Sequence, residues 1–124
     1  MIAADTSVII EYFQGKNNTQ TEKLDEAFHH HLLILPPTVL VEILSDPFLP
    51  KQFIEQILDL PILEITEHFW QKAGMNRSKL ISKKLKARLA DTLIAQSCID
   101  YQIPLITQDT DFRHFVKYCG LILY

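Results

Sequence analysis

Five carboxylates of this sequence stand at or near the boundaries of apolar segments: Asp5 and Asp109 where such segments end, Asp111 just beyond, and Glu42 and Asp91 within helical stretches. Asp5 follows "MIAA", Glu42 sits in "VLVEIL", Asp91 in "LADTLIAQ", and Asp109 and Asp111 in "LITQDTDF". Carboxylates brought together raise one another's pKa and repel, so a cluster of them calls for a compensating cation. An all-oxygen set with no clustered His or Cys favours Mg²⁺ or Mn²⁺ over zinc. Such ions lower the pKa of bound water and stabilise charge developing on a phosphodiester. Metal-assisted hydrolysis of nucleic acid is the chemistry these residue types suggest.

Each acid also has a structural reading. Asp5 can cap the first helix by accepting backbone N–H bonds. Glu42 has Thr38, Ser45 and Asp46 as helical neighbours, so an exposed polar stripe accounts for it equally well. Asp91 near a helix start complements the macrodipole, and Asp109 and Asp111 can cap the short helix expected near Phe112. No single acid decides between these readings; convergence of Asp5, Glu42, Asp91 and Asp109 on one sheet edge would.

Other residues invite chemistry less strongly. Arg77, Lys79, Lys83, Lys84, Lys86 and Arg88 supply half of the 12 Lys and Arg residues, uninterrupted by an acid, on a chain of net charge −3. They form a local basic arm suited to phosphate backbones or, equally, a solvated helix face. His29, His30 and His31 are adjacent and share no helical face, so a polar helix terminus fits them better than a ligand set. Phe69 and Trp70 suit a core or interface more than base stacking. Cys98 and Cys119 lack CxxC spacing and read as reduced thiols.

The elements that must position these groups follow from pattern. At 124 residues, 48% hydrophobic and 22% charged, residues 1–124 read as one compact domain. No apolar run approaches the ~20 residues that span a bilayer, and "MIAADTS" has no basic leader, so a cytoplasmic protein without membrane contact is expected. Apolar segments at "MIAA", "LLILP", "ILEIT", "PLIT" and "LILY" read as strands. Helices are expected over "TSVIIEYFQ", "TQTEKLDEAFHH", "PTVLVEILSD", "PKQFIEQILDL", a long stretch from Glu67 to about Leu85, "RLADTLIAQSCIDYQ" and "DFRHFVKY". Alternating strands and helices, with several strands continuously apolar, predict an α/β protein: a three-layer α/β/α sandwich around a central parallel sheet. In such sheets functional groups collect beyond the carboxyl ends of the strands, where Asp5 and Asp109 fall.

Taken as an ordered set over essentially the whole chain, "AADTSVII", "VLVEIL", "LADTLIAQ" and "LITQDTDF" resemble the four acidic motifs of PIN domains. The spacing is most similar to VapC-type toxins of toxin–antitoxin pairs. The resemblance implies a PIN-like fold and a Mg²⁺- or Mn²⁺-dependent endoribonuclease. Asp5, Glu42, Asp91 and Asp109 would match the acidic tetrad, and Asp111 an additional acid. Thr6 or Ser7, and Thr107, would supply orienting hydroxyls. Separately from the resemblance, the basic run of Lys79, Lys83, Lys84, Lys86 and Arg88 would position the RNA backbone of such an enzyme. A homodimer and a cognate antitoxin that covers the site are also implied. One position departs: many relatives carry a basic residue before the fourth acid, and here it is Gln108. Two alternatives compete. A non-catalytic PIN-like module for RNA binding or protein assembly would need no intact tetrad. A phosphate-accepting receiver-like domain would need an adjacent acidic pair near the start and a lysine after the last strand motif, and neither is present.

Overall fold

The computed structural model describes residues 1–124. Three short parallel strands form one sheet in the order β2-β1-β3: β1 is Ile2–Ala4, β2 Leu33–Ile34 and β3 Leu105–Ile106. Ala3 pairs with Ile34 on one side and Leu105 on the other. Ile2, Ala3 and Ala4 are all buried although successive side chains point to opposite faces, so helices must cover both sides of the sheet. The expected layered α/β architecture is present.

Two of the expected strands shrink to single parallel bridges, Leu35 with Ile62 and Leu105 with Leu123. Prolines account for much of the shortening. Pro36, Pro61 and Pro104 border these segments and bring no N–H to a ladder. The bridges still extend the sheet, because Leu63 N–H donates to Leu35 at 2.9 Å and Tyr124 N–H to Leu105 at 2.9 Å.

Seven helices surround the sheet: α1 Thr6–Phe13, α2 Thr19–His29, α3 Pro37–Leu44, α4 Lys51–Leu58, α5 Phe69–Ser82, α6 Leu89–Tyr101 and α7 Arg113–Cys119. Asn18 caps α2 through a capping box with Thr21, and Pro37 opens α3 at a position where its missing N–H costs nothing. The helix α5 runs through Gly74 without a break. Its neighbour α6 is buried more broadly than its apolar periodicity predicts: Thr92, Gln96 and Ser97 are buried alongside Ile94, Ala95 and Cys98. Gln96 is accommodated because Asn76 Nδ2 donates to its carbonyl oxygen at 2.7 Å and its own amide donates to Asp100 at 2.8 Å. No helix is long and apolar enough to cross a membrane.

Candidate metal centre

The first acid arrives at the end of β1. Asp5 N–H donates to the Ile106 carbonyl at 2.9 Å, so Asp5 still belongs to the hydrogen-bonded edge of the sheet while its side chain has passed beyond it. It occupies the N-cap position of α1, yet its carboxylate makes no capping bond to the helix's second or third amide. Instead Ser7 Oγ and Thr107 Oγ1 both donate to Asp5 Oδ2, at 3.0 and 2.9 Å. Burial raises its pKa, as does the charge of Asp109; the hydroxyls of Thr107 and Ser7 and the Thr6 amide oppose the rise.

Thr107 links the first acid to the last pair. Its hydroxyl oxygen also accepts from Asp109 N–H at 3.0 Å. Asp109 then caps a 3-10 turn over Thr110–Phe112, its Oδ1 accepting the Asp111 amide at 2.9 Å. The expected capping role is therefore real for Asp109, and its carboxylate still faces the other acids. Phe112, fully buried just behind, anchors the turn.

Asp91 enters from the first turn of α6. Its Oδ2 is buried without a hydrogen-bond partner, a costly arrangement for a carboxylate oxygen. Its pKa is pushed up to about 6, first by burial and then by the charges of Asp109, Asp5 and Glu42, with Arg88 opposing. Oxygen atoms of Asp91, Asp109 and Asp111 lie within 4.8 Å of one another. Glu42, exposed on α3, accepts the Thr6 hydroxyl at 2.7 Å. All five acids thus face one region at the carboxyl ends of β1 and β3. Asp91, Asp109 and Asp111 form the tight group, while Asp5 and Glu42 bear on Asp91 by charge.

The basic run divides. Lys86 Nζ sits 3.2 Å from Asp111 Oδ2, and Arg88 precedes α6 as its N-cap residue. Lys79 turns away to the Tyr118 carbonyl at 3.3 Å, and Lys83 lies over the Tyr118 ring at 4.7 Å. Lys84 occupies a left-handed turn with φ 61°. Gln108 Nε2 donates to Glu11 Oε2 at 2.5 Å and Asn18 Oδ1 at 3.0 Å, fastening the chain before Asp109 to the α1–α2 junction. Neither the Gln108 clamp nor the pairing of Lys86 with Asp111 has a sequence signal beyond Glu11 sharing a helical face with Ser7. The histidines His29, His30 and His31 end α2, exposed and apart from the acids. Phe69 is buried and meets the exposed Trp70 edge-on at 4.9 Å. Both cysteines are free, and burial together with the Asp5 charge pushes the Cys98 thiol up to about 12.

A family model for the PIN domain matches residues 2–118, so this chain belongs to the PIN domain family. Its fold is similar to a chain of VapBC2 from Rickettsia felis, crystallised bound to a DNA fragment from their promoter. That likeness has 21% identity, covers 100% of this chain and 98% of the other, and has a TM-score of 0.74. A chain of FitAB bound to the IR36 DNA fragment is similar at 20% identity, with coverage of 100% and 94% and a TM-score of 0.76. FitAcB from Neisseria gonorrhoeae gives 18%, 100%, 96% and 0.72 in the same order. At these identities the likeness is one of fold. No curated relative matches the sequence.

Proposed function

We propose that this chain is a divalent-metal-dependent endoribonuclease, the toxin of a type II toxin–antitoxin pair, with residues 1–124 acting as one PIN-like domain. The observation that carries the reading is the unpartnered, buried Oδ2 of Asp91 beside the carboxylates of Asp109 and Asp111. Three acids at this separation, with an all-oxygen donor set, fit Mg²⁺ or Mn²⁺. Asp91, Asp109, Asp111 and Asp5 would hold the ion, directly or through water, and Glu42 completes the acidic tetrad. A bound divalent cation supplies charge stabilisation to the phosphodiester and lowers the pKa of water.

The remaining work falls to the chain's own groups. Ser7 and Thr107 fix the Asp5 carboxylate, and Thr107 also ties it to the turn that carries Asp109. Thr6 donates to Glu42 and so fixes its carboxylate, which would serve as a further ligand or as the base for the attacking water. Lys86 and Arg88, nearest the acids, would meet an RNA backbone first, and Lys79, Lys83 and Lys84 further along the same run would add a salt-sensitive attraction.

The partner reading has separate support. VapBC2 and FitAB are complexes bound to DNA, in keeping with an antitoxin partner here. An apolar groove of about 220 Å³ lies between α1, α3 and α4, lined by Ile10, Phe13, Ile43, Leu49 and Phe53. Phe48 beside it is 88% exposed. Trp70 and Leu89, each 60% exposed, offer a second apolar surface to a homodimer.

RNA cleavage in Mg²⁺ or Mn²⁺, with and without EDTA, tests the activity. Wild type should cut, EDTA should stop it, and Asp5→Asn and Asp91→Asn should each lose about 100-fold or more, the scale of removing a group that stabilises transition-state charge. Cleavage that survives EDTA, or full activity in both variants, would falsify the reading.

A further inference from the structure

The linker between α5 and α6 presses a cation against the acidic cluster. The Lys83 and Lys84 amides close α5 on the carbonyls of Leu80 and Ile81, at 3.0 and 2.8 Å. On the other side, Arg77 Nε donates to the Ala87 carbonyl at 2.8 Å, and Ala87 is buried. Lys86 stands between these anchors, so its backbone is held while its side chain, half exposed, reaches Asp111 Oδ2 at 3.2 Å. It is the one lysine of the basic run that ion-pairs with the cluster. Lys79 and Lys83 spend their ammonium groups on Tyr118 instead.

We propose that Lys86 is a tethered counter-ion that competes with a divalent cation for Asp111, and that a cation displacing it frees the ammonium for the RNA backbone. The inference rests on the metal-site reading of the acidic cluster. One ammonium cannot neutralise the Asp111 carboxylate and a phosphate fully at the same time. Metal loading and RNA binding are then linked, each strengthening the other by the same factor. Lysine suits this role better than arginine: it is a single compact charge on a flexible stem, without a planar fork to grip the carboxylate. The side chain is already half in water, so release carries little desolvation change. Asp111 becomes the residue at which the two cations exchange, which gives it a function distinct from the capping done by Asp109.

Mn²⁺ binding without RNA, followed by calorimetry or by the electron-spin-resonance signal of free Mn²⁺, tests this directly. The Lys86→Met variant should bind Mn²⁺ about two- to fivefold more tightly than wild type, the scale of a partly exposed ion pair. Lys83→Met, which removes an equal charge that does not reach the cluster, should change it far less. In an Asp111→Asn background, Lys86→Met should have no effect. With a 2′-O-methyl RNA that resists cleavage, Mn²⁺ should strengthen RNA binding more in wild type than in Lys86→Met. Equal shifts from Lys83→Met and Lys86→Met, or a Lys86→Met effect that persists without the Asp111 charge, overturn the proposal. If wild type binds no Mn²⁺ at all, the metal-site reading itself fails. If it binds Mn²⁺ and Lys86→Met matches wild type, the counter-ion role alone fails.

Discussion

Asp91 concentrates the charge conflict of the acidic cluster in one side chain. Its pKa rises to about 6 through burial and the neighbouring acids, above the usual ~3.9 of an unfolded chain. A raised carboxyl pKa stabilises the fold where the group is protonated, below about pH 4. That contribution is lost as pH rises through about 6. At neutral pH the charged cluster therefore strains the protein. After discounting for its half-exposed position, Asp91→Asn should gain about 1 kcal/mol at pH 7 and little near pH 4, read from urea midpoints at the two pH values. The same variant should lose RNA cleavage. That the acids gather was legible from the ordered motifs, with only Asp5 and Asp109 placed at the ends of apolar segments. Their division of labour was not. Whether a carboxylate caps its own turn, as Asp109 does, or leaves its helix uncapped, as Asp5 does, depends on contacts such as Thr107 to Asp5, which join residues far apart in sequence. The pairing of Lys86 with Asp111 was hidden for the same reason, since it needs the exact path of the α5–α6 linker.

At the scale of elements, helices were read more faithfully than strands. Apolar periodicity and end signals located all seven helices, including the start of α3 at Pro37. Strand length was overestimated at Ile62 and Leu123, where the apolar runs make single bridges and both residues stay exposed, so apolar composition marked neither burial nor a full ladder. The polar joint between α5 and α6 was missed altogether. Thr66 Oγ1 donates to Asp100 Oδ2 at 2.5 Å, while Lys72 Nζ and Gln96 Nε2 each donate to Oδ1 at 2.8 Å. The Asp100 side chain is only 6% exposed. Burial acts to raise its pKa, and the bonds from Lys72, Thr66 and Gln96 outweigh that and hold it below the ordinary value. Replacing Asp100 by alanine strands three donors, so it should cost about 2 kcal/mol at pH 7. A depressed carboxyl pKa contributes stability above about pH 4, the unfolded value, that disappears as pH falls through the folded one. The gap between wild type and Asp100→Ala should accordingly narrow in acid, which thermal melts across pH 7 to pH 3 will show.

For the whole molecule, an acidic chain of net charge −3 concentrates its charge conflict at one sheet edge, so its stability should respond to divalent cations. An ion that binds the folded state alone stabilises it by about 2.7 kcal/mol at 100 times its dissociation constant. In a protein of 124 residues that is a rise in melting temperature of several degrees or more. Mn²⁺ should produce this rise at pH 7.5, and EDTA should reverse it. At pH 5.5 the gain should shrink, because Asp91, with its pKa near 6, is then mostly protonated and must release a proton before it can ligate. Asp91→Asn should invert the order of the melts. Without Mn²⁺ the variant, relieved of one charge, should melt above wild type; with saturating Mn²⁺ wild type should climb past it while the variant barely moves. Melting curves of both proteins, with Mn²⁺ and with EDTA, decide the matter. A wild type that ignores Mn²⁺, or a variant that responds as strongly, would mean that the acids at this edge do not hold the ion together.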